Sequence, residues 1–75
     1  MDKHLLRTCR AVAGFTQSEL ASAIGKNQST LSHYENGLLN ISETTKRKVI
    51  KALEEKGLSQ DEVYLLSGLK KSNQQ

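Results

Sequence analysis

A cluster of uncharged polar side chains and one histidine lies between positions 28 and 33 of this sequence. They are Gln28, Ser29, Thr30, Ser32 and His33. An amide donates and accepts at once, a hydroxyl can do either, and a neutral histidine ring has one nitrogen for each role. A row of such groups can recognise a partner that displays donors and acceptors, and the alternative is an ordinary solvated helix face.

The groupings that catalysis or metal binding requires are missing from the sequence. The one cysteine, Cys9, cannot form an internal disulfide, and with His4 and His33 it makes no metal-ligand spacing. No carboxylate pair, and no nucleophile with a base, stands at a recognisable spacing. We therefore expect no enzymatic activity and no cofactor, and we interpret Cys9 as a small buried apolar side chain.

Helical periodicity runs through the chain, and no window has the alternation of a strand. We predict an all-α domain of five helices, each ending near one of the five glycines. The helices are expected at about residues 2–13, from 16 to the turn at 25, between 27 and 36, at about 42–56, and from 59 onward. Residues 1–69 are expected to form a single domain, followed by a disordered polar tail at residues 70–75.

Apolar residues at helical spacing indicate the core. On the first helix they are Leu5, Leu6, Cys9, Val12 and Ala13, which we place on one inward face. Six further apolar residues could belong either to the domain core or to a dimer contact. They are Leu38, Leu39, Tyr64, Leu65, Leu66 and Leu69.

Two short helices joined by a tight turn are predicted around residues 17–36. A capping box of Thr16 and Glu19 starts the first helix, and Asn27 is a suitable N-cap for the second. Gly25 allows the positive φ that the connecting turn requires. Ala21 lies where a larger side chain would push the helices apart. This arrangement is typical of a helix-turn-helix.

Several motifs in this region resemble the Cro/C1-type (XRE) helix-turn-helix family of bacterial and phage regulators. Over roughly residues 6–53 the matching positions are Gly14-Phe15-Thr16-Gln17, Leu20-Ala21, Gly25, Leu31-Ser32 and Tyr34-Glu35-Asn36-Gly37. The resemblance implies a compact, lambda-repressor-like fold of five helices and a sequence-specific DNA-binding regulator of repressor type. In that family the third helix enters the major groove, and the second crosses the DNA backbone.

The resemblance also implies which residues touch bases. Gln28 is similar to the family's base-reading glutamine, whose amide can bond N6 and N7 of adenine together. The other base contacts expected on the same helix are Ser29, Thr30, Ser32 and His33.

Phosphate contacts and structural residues are predicted in part from the same resemblance, in which Gln17 matches the family's phosphate-contacting glutamine, and in part from polar and basic side chains nearby. The expected phosphate contacts are Thr16, Gln17, Lys26, Asn27, Asn36, Asn40 and Lys46. Arg10 and Glu35 match family positions that form a structural ion pair, and we also assign Ala21 and Gly25 structural roles. The loop after Gly37 departs from the family because it lacks the usual basic residues.

Length and charge suggest the partners. A domain of 75 residues without disulfide or metal usually depends on regular helix packing or on a second subunit. We expect a homodimer that binds a palindromic operator in double-stranded DNA. The net charge of +3 favours an anionic partner only slightly.

A protein-interaction module that binds a larger regulator or toxin is the alternative. The almost uncharged third helix and the apolar pair Leu38-Leu39 motivate it. The longest apolar runs are far shorter than a membrane span or a secretion signal, so we expect a cytoplasmic protein with no membrane partner.

Overall fold

The chain forms five α-helices in a computed structural model, which describes the backbone of residues 1–72 and the side chains of residues 1–68. They are α1 (Lys3–Ala13), α2 (Gln17–Ala23), α3 (Gln28–Glu35), α4 (Glu43–Glu55) and α5 (Gln60–Ser72). The described residues contain no strand, so the all-α prediction is confirmed. α5 includes residues 70–72 of the predicted tail, and residues 73–75 lie outside the described part of the chain.

Side-chain caps start several helices, among them the capping box of Thr16 and Glu19 that the sequence predicts. The hydroxyl of Thr16 accepts from the backbone N–H of Glu19 at 3.0 Å, and the Glu19 carboxylate accepts from the backbone N–H of Thr16 at 2.9 Å. A second reciprocal pair joins Ser59 and Glu62 at the start of α5. The backbone N–H and then the hydroxyl of Thr16 lower the pKa of the Glu19 carboxyl. The cap is therefore complete above the ordinary pKa of a glutamate and weakens as the pH falls through the lowered value.

Glycines follow four helix ends in the left-handed conformation. Gly14, after α1, has a φ of 84°, and Gly25, in the turn between α2 and α3, has a φ of 71°. The prediction that Gly68 also ends a helix is wrong, because Gly68 lies inside α5. Glycine in a helix interior costs about 1 kcal/mol relative to alanine but does not prevent helical backbone angles.

All five helices contribute to one hydrophobic core. Its buried residues are Leu6, Cys9, Leu20, Ala21, Ile24, Leu31, Tyr34, Val49, Ala52, Leu53, Leu58 and Val63. Val12, predicted to face inward, is instead 58% exposed. It lies roughly 100° around α1 from the centre of the buried stripe of Leu6, Cys9 and Ala13, since successive helical residues turn by about 100°.

The open set of apolar residues divides between core and surface. Leu66 packs against the core, whereas Leu38, Leu39, Tyr64 and Leu65 are exposed. The side chain of Leu69 lies outside the described residues. The outward side of α5 and the loop after α3 thus present apolar side chains to solvent.

The packing of α2 against α3 sets the angle of the helix-turn-helix. Leu20, Ala21 and Ile24 of α2 and Leu31 and Tyr34 of α3 are all buried. The backbone N–H of Lys26 donates to the carbonyl of Ala21 at 2.8 Å and closes the turn after α2. A small residue at position 21 fits this close approach.

Enlarging Ala21, which is 1% exposed, tests how tightly the two helices pack. Ala21→Leu should lower the free energy of unfolding by about 1–3 kcal/mol, because added methyl groups in a packed interior force side chains and backbone to shift. Ala23→Leu, at an exposed position of the same helix, is the matched control and should change stability by less than about 0.5 kcal/mol. Urea unfolding followed by circular dichroism measures both, and equal midpoints for the two variants would contradict the packing account.

Candidate nucleic-acid interface

An open polar groove of about 300 Å³ lies between the starts of α2 and α3. Its lining residues are Gln17, Gln28, Ser29, Ser32 and His33. Four of the five residues predicted to contact bases therefore share one surface with Gln17, which is predicted to contact phosphate. The opposite face of α3 is in the core, where Leu31, Tyr34 and Glu35 are buried.

Thr30 is the predicted base contact that the structure does not bring into this groove. Its side chain is half-buried, and its hydroxyl donates to Oδ1 of Asn27 at 2.9 Å. The same Asn27 oxygen accepts from the backbone N–H of Thr30 at 2.8 Å and caps α3. Both side chains are thus engaged in holding the first turn of α3.

A buried ion pair joins α1 to α3 beneath the groove. Nε of Arg10 lies 2.6 Å from Oε2 of Glu35, and Nη2 of Arg10 lies 3.2 Å from Oε1. The Glu35 side chain is 1% exposed and that of Arg10 is 18% exposed. Arg10 also donates to the carbonyl of Phe15, before α2, so one guanidinium ties together three segments.

Two glutamine amides extend this ion pair into the groove. Nε2 of Gln17 donates to Oε1 of Glu35 at 3.0 Å. Oε1 of Gln17 in turn accepts from Nε2 of Gln28 at 3.5 Å. A continuous polar chain therefore runs from the guanidinium of Arg10 in the interior to the exposed amide of Gln28.

Arg7 is a residue of this cluster that the sequence analysis missed. Its Nη2 donates to the backbone carbonyl of Glu35 at 3.2 Å, and its Nε lies 3.8 Å from the Glu35 carboxylate. Its side chain is 54% exposed, so a second guanidinium reaches the surface close to Gln17. The spacing of Arg7 and Arg10, one helical turn apart, is the signal that could have identified it.

The other predicted phosphate contacts are spread over the surface. Thr16 caps α2, and Asn36, at the end of α3, donates to the hydroxyl of Ser32 at 3.3 Å. Lys26 and Asn40 are exposed. None of these four residues lines the groove itself.

Lys46 lies apart from this groove. Its half-buried side chain lines another opening with Met1, Leu5 and Val63, and its Nζ is 3.9 Å from Glu43 on the same helix. The neighbouring Arg47 and Lys48 are exposed.

Metal ligands, the free thiol and the apolar character of the helices are the remaining features of the described part of the chain. No group of three His, Cys, Asp or Glu side chains there could hold a metal ion. Cys9 is fully buried, and burial raises the pKa of its thiol. None of the helices described here is both long enough and apolar enough to cross a membrane.

Comparison with known proteins identifies the family. The sequence model of the helix-turn-helix family matches residues 6–54. The chain therefore belongs to this family, and it carries the XRE-type pattern of DNA-binding regulators.

Two curated proteins are similar to this chain over part of their length. The chain is 45% identical over 49 residues to antitoxin HipB of Escherichia coli O6:H1 strain CFT073, which covers 65% of this chain and 52% of that protein. It is 43% identical over 49 residues to antitoxin HipB of Escherichia coli K12, which covers 65% of this chain and 56% of that protein. The chain thus spans about half the length of these curated relatives. No solved structure matches the chain at a significant level.

Removing the charge of Glu35 tests how much the ion pair with Arg10 contributes to the free energy of unfolding. Glu35→Gln keeps the side-chain volume but leaves the guanidinium of Arg10 without its counter-charge, and loss of one partner of a buried pair costs about 3–5 kcal/mol. Glu54→Gln, at an exposed position, is the control and should be nearly neutral. Urea unfolding measures the difference, and a loss below about 1 kcal/mol for Glu35→Gln would show that the pair adds little to stability.

Proposed function

We propose that the chain is a sequence-specific regulator that binds double-stranded DNA, with α3 lying in the major groove. One observation supports this most directly: Gln28, Ser29, Ser32 and His33 share an exposed polar surface while the other side of α3 is buried. Membership of the helix-turn-helix family agrees with this assignment.

The chemistry of α3 suits base recognition. Residues 28, 29, 32 and 33 are spaced by one, three and four positions, so they lie along one side of the helix. The major groove, about 12 Å wide, admits an α-helix and displays a distinct pattern of donors and acceptors for each base pair. Neutral amides and hydroxyls can read this pattern without the strong pull of a charged side chain toward phosphates.

Phosphate contacts would position the helix, and we propose Gln17 as the central one, through the second N–H of its side-chain amide, since the first donates to Glu35. Gln17 lines the groove beside α3, and the partly exposed guanidinium of Arg7 lies next to it. We retain Thr16, Lys26, Asn27, Asn36, Asn40 and Lys46 as further candidates. Contacts of this kind carry no sequence information but fix the register of the protein on the duplex.

We propose that the regulator acts as a homodimer on a palindromic operator and represses by occupying it. Leu65 on α5, which is 63% exposed, and the exposed Val12 of α1 line a small apolar groove. Tyr64 on α5 is 77% exposed beside a separate opening. Burial of these side chains against a second copy would remove apolar surface from water. Two copies would then present two α3 helices to successive turns of the same DNA face.

A second candidate function is binding to a partner protein. The two similar proteins are named antitoxins, a name that implies a toxin as partner. Leu38 and Leu39, after α3, are 70% and 45% exposed and could form part of such a contact. This function could accompany DNA binding, because these leucines do not line the α3 groove.

Selection from random DNA duplexes at low salt tests DNA recognition. Wild-type protein should enrich a defined sequence, and Gln28→Ala should relax the preference at one base pair by roughly 1–3 kcal/mol because it removes an amide contact with a base. The fold should be unchanged, since Gln28 is exposed.

Gln60→Ala, at an exposed position at the start of α5, is the control and should leave the selected sequence unaltered. Failure of the wild-type protein to enrich any sequence over bulk DNA would contradict the proposed function. Equal weakening on all sequences by Gln28→Ala would show that Gln28 does not read a base.

The dimer is tested by analytical ultracentrifugation. Leu65→Ser should raise the dimer dissociation constant at least about tenfold, because a change of 1.4 kcal/mol in buried apolar contacts corresponds to that factor. Leu38→Ser alters an equally apolar exposed site elsewhere and should leave the dimer unchanged. A wild-type protein that stays monomeric at tens of micromolar, or equal effects of the two variants, would contradict the assigned surface.

A further inference from the structure

We propose that Lys3 and Arg7, which we call the basic edge of α1, form a phosphate-binding site beside the groove. The ligand of this site is the phosphodiester backbone of the duplex, along the strand that passes the C-terminal half of α3. The inference rests on the proposed function of α3 and extends it, because it assigns the positive charge for DNA binding to α1 and not to the helix-turn-helix itself.

The distribution of charge in the sequence leaves few cations close to the groove. α2, α3 and residues 36–42 contain no lysine or arginine, and Lys26 is the single one in the turn between α2 and α3. Neutralisation of phosphates by lysine and arginine supplies essentially all of the sequence-independent affinity of a protein for DNA. A domain that reads bases with α3 therefore needs positive charge from a helix packed beside it.

α1 is the helix that brings positive charge to α3. Lys3, Arg7 and Arg10 are spaced by four and three positions and so share one side of α1. Both arginines contact Glu35 at the end of α3, and Lys3 lies across Gly37 just beyond it. A Cβ added to Gly37 would lie 3.1 Å from Cδ and 3.3 Å from Nζ of Lys3. The glycine thus leaves room for this exposed lysine beside the end of α3.

An excess of positive charge remains in this cluster, and Arg7 carries it to the surface. The Glu35 carboxylate accepts from the Arg10 guanidinium through both oxygens, at 2.6 and 3.2 Å. Arg7 adds a second guanidinium to the same carboxylate, and its side chain is 54% exposed. The hydrogen bond from its Nη2 to the Glu35 carbonyl holds it in place, so less side-chain freedom is lost when an anion binds.

The basic edge of α1 also borders the groove. Nε of Arg7 and Nε2 of Gln17 approach the same Glu35 oxygen, at 3.8 and 3.0 Å, and Gln17 lines the groove. Lys48 and Lys51 of α4 instead line an opening against the end of α2, which no residue of α3 lines. A duplex seated on α3 would therefore meet the basic edge of α1 and not the cations of α4.

The salt dependence of binding to the selected duplex tests this site. Arg7→Gln should reduce the slope of log association constant against log salt by about 0.9, so its loss of affinity should shrink about 3.5-fold between roughly 50 and 200 mM salt. Lys3→Gln should do the same, and the double variant should lose about twice that slope. The selected sequence should stay the same, since phosphate contacts carry no sequence information.

Two further variants separate a phosphate contact from other effects of the charge. Arg7→Lys keeps the charge but loses the planar guanidinium that binds Glu35, so it should keep the wild-type slope even if it lowers stability. Lys51→Gln removes one charge at an exposed position of α4 and should reduce the slope by less than about a third of the Arg7→Gln effect. Circular dichroism and urea unfolding establish that each variant is folded.

The outcomes distinguish this site from the proposed function. A slope that is unchanged in Arg7→Gln or Lys3→Gln, or that falls equally in Lys51→Gln, would overturn this inference and leave the proposed function intact. A wild-type protein that binds no duplex would overturn both.

Discussion

The contact between the Arg10 guanidinium and the Glu35 carboxylate is the interaction on which the rest of this structure depends. It joins α1 to α3 with Glu35 almost fully buried, and the same guanidinium holds the backbone before α2. A charge this deep is tolerated only with a partner of excellent geometry, so the three segments have little freedom to move relative to one another. The groove between α2 and α3 is therefore held open in a fixed shape.

This constraint also connects the interior with the surface proposed to bind DNA. The second oxygen of Glu35 is shared between Arg10 and Gln17, and Gln17 contacts Gln28 in the groove. Variants of Glu35 would thus affect folding and recognition together, whereas variants of Gln17 affect the outer part of the polar chain alone. The packed helices and the proposed DNA-binding groove share one hydrogen-bond network, and this network keeps their relative geometry. It does so although a chain of 75 residues can bury only a small core.

Much of the fold could be predicted from local sequence signals, and the site could be predicted less well. The capping box of Thr16 and Glu19 and the turn at Gly25 form as expected because each depends on residues close in sequence. The exposure of Val12 depends on how α1 rotates against the other helices, which periodicity does not determine. The link from Gln17 to Glu35 spans 18 residues and depends on the direction of an amide, so no spacing rule predicts it. The family resemblance predicts the residues that line the groove, but it assigns no role to Arg7.

An NMR titration of the wild-type protein with its selected duplex tests whether α3 lies against the DNA bases. If it does, the largest chemical-shift changes should fall on the backbone amides of residues 28–33 and on the side-chain amides of Gln17 and Gln28. These chemical-shift changes should saturate when the selected duplex is added but not when a scrambled duplex is added at the same concentrations. Changes confined to α5 or to the Leu38-Leu39 loop, with α3 unaffected, would contradict it.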